Sequence, residues 1–264
     1  MNKRDLKVVI LCGGKGTRLR DVSEILPKPL VPIGEMPILW HIMKGYSSQG
    51  YNNFVLCLGY KGDLIRDFFL NYQNHSTDLI LNLRDGKIQR PNKEKDIEEW
   101  NITFVNTGET TNTALRLHKI KKYLEKDPFF MLTYGDGVSN IIFDDLLDFH
   151  INQKTIGTLT GVNPTSKYGE VKTGENNIIN SFVQKPVLDD SYINGGFMVF
   201  NNKMLRHPML NEDIPIETVL ADLTENNQLS MYKHKRFWHC MDTPRDFSSL
   251  TEIWESKKVP WRNW

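Results

Sequence analysis

The first half of the chain alternates between short apolar runs and amphipathic stretches. Residues 6–11 form an almost continuous apolar run of the length of a buried strand. Ile38, Leu39, Ile42, Met43 and Tyr46 then recur at helical spacing and stop at Gly50. Residues 54–58 read as a second apolar strand, and Leu64, Ile65, Phe68, Phe69 and Tyr72 as a second amphipathic helix. Strands are expected over 79–83 and 102–105, separated by a polar insertion over 84–99. A helix over 115–124 and a short apolar strand over 129–133 continue the series. Repeated strand–helix units predict an α/β fold of Rossmann-like type, a mixed but mostly parallel sheet flanked by helices.

The second half is richer in short strands, expected over 158–162, 169–172, 178–184 and 192–200, which suggests a smaller β-rich addition within one domain spanning 1–264. A helix is expected over 216–225. The last helix has a clear start, with Thr243 as N-cap and Pro244 in the first turn, and runs to about Lys257. Beyond it Trp261 and Trp264 are too apolar to leave in water, so they should pack on the body of the protein or on a neighbouring subunit.

Composition narrows the class. Net charge is +1 and the basic and acidic residues are interspersed, so no basic field favours nucleic acid. No run of 18 apolar residues and no signal-like hydrophobic core occurs, so a cytoplasmic protein that does not span a membrane is expected. Cys12, Cys57 and Cys240 are far apart and apolar-flanked, as buried free thiols would be, and their spacing offers no zinc site.

The densest chemistry follows the first strand, in Gly13-Gly14-Lys15-Gly16-Thr17-Arg18-Leu19, closed by Pro27-Lys28-Pro29. Glycines let the backbone approach a ligand and aim its N–H groups at one spot, while Lys15, Arg18 and Lys28 add charge suited to phosphate. Two commoner phosphate motifs fit badly. A dinucleotide fingerprint needs a glycine where Leu19 stands, and a P-loop needs Lys-Ser/Thr where Lys15-Gly16 stands. Asp136, between two glycines after the strand over 129–133, is placed to hold Mg²⁺ against phosphate oxygens, with Asp242 as a second carboxylate. Either carboxylate could instead serve only a turn or a helix start. Lys185 is a candidate anchor for an anionic acceptor. Asn194-Gly195-Gly196 interrupts a strand-like run, as a bulge or a ligand approach would.

G-G-x-G-T-R-L followed by P-K-P resembles the sugar-phosphate nucleotidyltransferases. The segments Pro37-Ile38-Leu39-Trp40-His41-Ile42-Met43, Thr133-Tyr134-Gly135-Asp136-Gly137-Val138, Ile193-Asn194-Gly195-Gly196-Phe197 and Met241-Asp242-Thr243-Pro244-Arg245-Asp246 extend the likeness to the cytidylyltransferase branch, almost from end to end. The resemblance implies transfer of a nucleotidyl group from CTP to a sugar 1-phosphate, foremost glucose 1-phosphate, with Mg²⁺ as cofactor and assembly as a homo-oligomer, a hexamer in that branch. It implies that Gly13, Gly14, Gly16, Thr17, Arg18, Lys28, Thr113 and Arg116 hold the nucleotide. Gln184, Lys185, Asn194 and Gly195 would hold the sugar phosphate, and Asp136 and Asp242 the metal. Arg18, Lys28, Asp136 and Lys185 would carry the catalysis.

Three stretches depart from the pattern. Ala114-Leu115 replaces a glycine pair, Gln184 replaces a glutamate before Lys185, and residues 166–171 are more charged. These changes fall on base and sugar recognition, so a different acceptor or base is the alternative reading, and a catalytically silent nucleotide- or sugar-sensing domain a third. Intact Arg18, Lys28, Asp136 and Asp242 argue against silence.

Overall fold

A computed structural model describes residues 3–19, 25–76, 78–91, 97–165, 168–184, 187–188 and 191–264. Seven strands form the central sheet: β1 (Lys7–Cys12), β2 (Asn53–Leu58), β3 (Asn101–Asn106), β4 (Phe129–Tyr134), β5 (Gly157–Val162), β6 (Ile193–Asn201) and β7 (Leu229–His234), in the order β7-β5-β6-β4-β1-β2-β3. The four strands β4-β1-β2-β3 run parallel, as do β5 and β7, and β6 is antiparallel to both of its neighbours. The mixed, mostly parallel sheet flanked by helices is as the alternation predicted.

Both faces of the sheet are covered, which is why β1 reads as an unbroken apolar run. Val8, Ile10 and Cys12 join one core layer, whereas Val9 and Leu11 join the other. Helices α1 (Ile38–Ser47), α2 (Gly62–Leu70), α4 (Phe143–Gln153) and α6 (Pro244–Glu255) contribute buried or half-buried apolar residues to the first layer; α3 (Thr113–Lys119) and α5 (Ile216–Glu225) cover the second. The helix expected over 115–124 is shorter, because α3 ends at Lys119 and a 3₁₀ turn follows at Lys121–Tyr123. Helix α4 was readable, since Phe143, Leu146, Leu147 and His150 are buried at helical spacing behind Asp144 and Asp145, but the pattern was not picked up.

The run over 79–83 departs from expectation. Only Ile80–Leu81 is extended, and it pairs with Ile88–Gln89 in a small hairpin around a turn, not with the main sheet. All four residues are exposed, so the apolar character of this run does not mark burial. Of the strands expected in the second half, those at 157–162 and 193–201 join the main sheet, and the β-rich addition there is a larger hairpin, Gly169–Thr173 with Ile179–Gln184, along with a short ribbon pairing Gly137–Ser139 with Trp238–Cys240. The tail aromatics pack within the chain. Trp261 is 2% exposed and lies against His41, Phe237 and Trp254, while Trp264 meets Trp40 and His41. Their apolar area is accounted for without a second subunit. Cys12 and Cys57 are buried free thiols, whereas Cys240 is only half-buried.

Candidate active site

The site lies where parallel strand order reverses direction, between β1 and β4, the crevice in which open α/β sheets bind ligands. Gly135 N–H donates to Leu11 C=O at 3.2 Å and ties the two strand ends together. The glycine-rich turn leaves β1 here. Gly16 takes φ +60°, and a Thr17–Leu19 3₁₀ turn closes with Leu19 N–H donating to Gly16 C=O. Only glycine takes that φ without strain.

Gly13 is required for a different reason. A Cβ there would sit 2.1 Å from the Arg116 guanidinium. Arg116 is 3% exposed and points back into the protein, where it donates to the carbonyls of Gly13 (3.0 Å), Leu58 (3.1 Å) and Glu109 (3.4 Å) and to Thr107 Oγ1 (2.6 Å). It ties the glycine turn to the ends of β2 and β3. Most of its donors are thus committed to protein acceptors, and it shapes the crevice through Gly13. Thr113 Oγ1 accepts from Ile216 N–H at 2.7 Å, and Ala114 N–H donates to Ile214 C=O at 3.1 Å. Ala114 is fully buried in the core, so its methyl group does not narrow the crevice.

Four charged side chains from distant segments meet at the centre. Lys28 Nζ donates to Asp136 Oδ2 at 2.6 Å and to Asp242 Oδ1 at 2.8 Å, and Arg18 pairs with the other Asp242 oxygen. Local structure explains the meeting. Met241 N–H donates to Asp136 C=O at 2.8 Å at the end of the short ribbon. Asp246 closes a capping box with Thr243, and its carboxylate also accepts from Asp242 N–H, so the start of α6 holds the Asp242 backbone in place. Burial pulls the Lys28 pKa down, but the two aspartates outweigh it and hold the ammonium above its ordinary value. Burial pushes Asp242 up, and Lys28 and Arg18 more than reverse that, leaving its carboxyl below the usual range.

Two cavities adjoin along Arg18, Tyr134, Asp136 and Asp242. One, of about 340 Å³, is bounded by Gly13, Gly14, Gly16, Thr17, Lys28, Thr111, Asn112, Thr113 and Arg116. The other, of about 420 Å³, is bounded by Asn194, Gly195, Gly196, Glu217, Trp238 and Cys240. The register of β5 against β6 slips between Leu159 and Gly161, and Gly196 takes φ +80°. A bulge therefore turns Asn194-Gly195-Gly196 toward the second cavity. Nearly all the residues implicated by the sequence thus converge, and five are set apart. Lys15 is exposed and Gln184 is exposed on the larger hairpin; neither lines a cavity. Lys185, and Ser166 and Lys167 of the charged stretch, lie outside the described residues. Tyr134 stands within the segment Thr133-Tyr134-Gly135-Asp136-Gly137-Val138, whereas Glu217 carries no local signal. Trp238, an aromatic that the sequence suggests for packing between subunits, lines the second cavity.

The carboxylate pair suits a hard divalent cation, because both side chains already turn oxygens toward one positive charge. Among the described residues no cluster of three or more His, Cys, Asp or Glu exists, so further ligands would have to come from phosphate and water. Magnesium is commonly held in this way, by one or two carboxylates and substrate oxygens.

Sheet topology, glycine turn and paired aspartates define an α/β protein with a charged crevice at its switch point. The chain belongs to the nucleotidyl transferase family, whose family model matches residues 7–256. It is 38% identical over 263 residues to glucose-1-phosphate cytidylyltransferase of Salmonella typhimurium, covering 98% of this chain and 100% of that protein. A probable glucose-1-phosphate cytidylyltransferase of Bacillus subtilis is also 38% identical, with the same coverage. Among solved structures, HddC from Yersinia pseudotuberculosis superposes with a TM-score of 0.68 at 22% identity over 94% of this chain and 99% of that one, a likeness of fold. Among the described residues no helix is long and apolar enough to cross a membrane.

Proposed function

We propose that this protein is an Mg²⁺-dependent cytidylyltransferase that joins CTP to a sugar 1-phosphate, foremost glucose 1-phosphate, and releases pyrophosphate. The observation that carries the reading is the convergence of Arg18, Lys28, Asp136 and Asp242 between two adjoining cavities, one for each substrate. The near full-length likeness to glucose-1-phosphate cytidylyltransferases supports the choice of nucleotide and sugar.

In this reading the triphosphate lies in the first cavity, against the turn carrying Gly14, Gly16 and Thr17. An oxygen of the acceptor phosphate attacks the α-phosphorus, the bond to the β-phosphate oxygen breaks, and pyrophosphate leaves with the electron pair. The attacking oxygen is already anionic, so no general base is required. Catalysis rests on alignment and charge neutralisation. Arg18 and Lys28 bring positive charge to the shared wall of the cavities, and the Arg116 strut keeps the glycine turn in shape. Asp136 and Asp242 would hold Mg²⁺, which when bound supplies a Lewis acid at phosphate oxygens. Lys185 is assigned to the acceptor phosphate on the family resemblance.

A cross of the four nucleoside triphosphates with a set of sugar 1-phosphates, read by pyrophosphate release, tests the proposal. The highest kcat/KM is expected for CTP with glucose 1-phosphate in the presence of Mg²⁺. A clear preference for another pair, or turnover undiminished by chelation of divalent metal, refutes the corresponding part.

A further inference from the structure

The second cavity has a strongly uneven charge layout. At the wall it shares with the first cavity, Asp136 and Asp242 are neutralised by Lys28 and Arg18. Glu217, on the first turn of α5, lines the same cavity. Among the described residues no cation pairs with it. The Tyr134 hydroxyl donates to its Oε1 at 2.5 Å. Such a carboxylate repels a phosphate and attracts hydroxyl donors, since an ionised carboxylate only accepts hydrogen bonds and offers several lone pairs. Asn194 lines the same cavity; its side-chain oxygen accepts from Gly196 N–H at 2.9 Å, and its amide side chain also hydrogen-bonds Tyr134, so Asn194 and Glu217 are linked through the one tyrosine. Trp238 adds an apolar wall, fixed by its indole N–H on Gly195 C=O at 2.7 Å.

We infer that Glu217, held by Tyr134, is the residue that reads the hydroxyls of the acceptor sugar. This deepens the proposed function and rests on it for the identity of the ligand. The cavity carries balanced charge where Arg18 stands among Asp136 and Asp242, and at Glu217 an acceptor that no cation among the described residues offsets. A molecule with a phosphate at one end and a polyhydroxyl ring at the other fits it in one orientation, with the phosphate toward Arg18 and the ring toward Glu217. The Tyr134 bond limits where the carboxylate can sit and so makes it selective among ring positions. Glu217 is therefore a specificity residue that contacts the sugar away from the reacting phosphorus.

The experiment is equilibrium titration of the full chain with glucose 1-phosphate and its 2-, 3-, 4- and 6-deoxy analogues. It is carried out in the presence of a CTP analogue with a methylene between the α- and β-phosphates, so that turnover is not required. Wild type is expected to bind at least one deoxy analogue roughly tenfold or more weakly than the parent, the size of a lost hydrogen bond to a charged acceptor. In Glu217→Ala that penalty should vanish, in Glu217→Gln it should shrink, and Glu217→Asp should restore part of it. Affinity for the CTP analogue and the melting temperature should hold in all three. Unchanged deoxy penalties in the variants, equal losses for nucleotide and sugar, or no binding of glucose 1-phosphate to wild type would each overturn the assignment. The pyrophosphate assay separates the two failures. Turnover of CTP with glucose 1-phosphate alongside unchanged penalties leaves the proposed function standing and removes only Glu217.

Discussion

The two cavities are built in different ways. The first is cut into the sheet itself. Its floor is the end of β1, its glycine turn is braced by a buried arginine, and its ion pairs join segments that the parallel strands bring together. The second is bounded by a strand bulge, a helix start and a short ribbon, and the larger hairpin beside it is exposed on most of its residues, Phe182 being 65% exposed. A phosphate chain is common to every nucleotide, and a rigid backbone cradle suits it. Acceptors differ in their hydroxyls, and side chains on loops and helix ends can vary without disturbing the core. The departures from the family pattern follow this division. Ala114 is absorbed into the core, and Gln184 lies on the exposed hairpin.

If the first region carries the chemistry, its carboxylate pair should be the most sensitive point in the molecule. Asp136→Asn is expected to lower kcat by roughly 10² to 10³ or more, the scale of losing a group that neutralises charge in the transition state. The far-ultraviolet circular dichroism should be unchanged. Turnover close to wild type at saturating Mg²⁺ would erase the contrast between the regions. The brace is the next point to break. Gly13→Ala forces a Cβ onto the Arg116 guanidinium, and overpacking of that kind costs about 1–3 kcal/mol. A lower melting temperature and a raised KM for CTP are expected, with the KM for the sugar phosphate much less affected. Equal rises in both constants would show that the cavities are not separable.

The smallest effect sharpens the comparison from the other side. Gln184 touches neither cavity, so Gln184→Glu should change kcat/KM for glucose 1-phosphate by no more than about threefold, as for a surface substitution. A tenfold gain would mean that the hairpin closes over the sugar during the reaction. Acceptor choice would then be shared between the hairpin and the second cavity.

Much of this arrangement was legible in the chain. The glycine turn, Asp136 after β4, the start of α6 at Thr243 and the glycine break at Asn194 were all readable, because each is a local event with a local physical cause. Residues 79–83 misled because an apolar run signals a strand whether or not a sheet is there to receive it. Strand β7 and the short ribbon carry little periodic signal, because β7 buries only His234 fully and the ribbon strands are three residues each. The resemblance implies that Arg116 holds the nucleotide; it lines the first cavity, and its bonds to three backbone carbonyls and the Thr107 hydroxyl are marked by no sequence pattern.

The sequence by itself determined the alternation of strands and helices, the double-sided burial of β1 and the conformational freedom of the glycine turn. These depend on side-chain period and backbone sterics over a few residues. Only the tertiary structure decided that Lys28 stands between Asp136 and Asp242, that Arg116 braces Gly13, and that Glu217 and Arg18 line one cavity. Those meetings join residues about a hundred or more positions apart. They depend on strand order and register, set by how well whole strands pair and whole faces pack, and no short window of the chain contains that information.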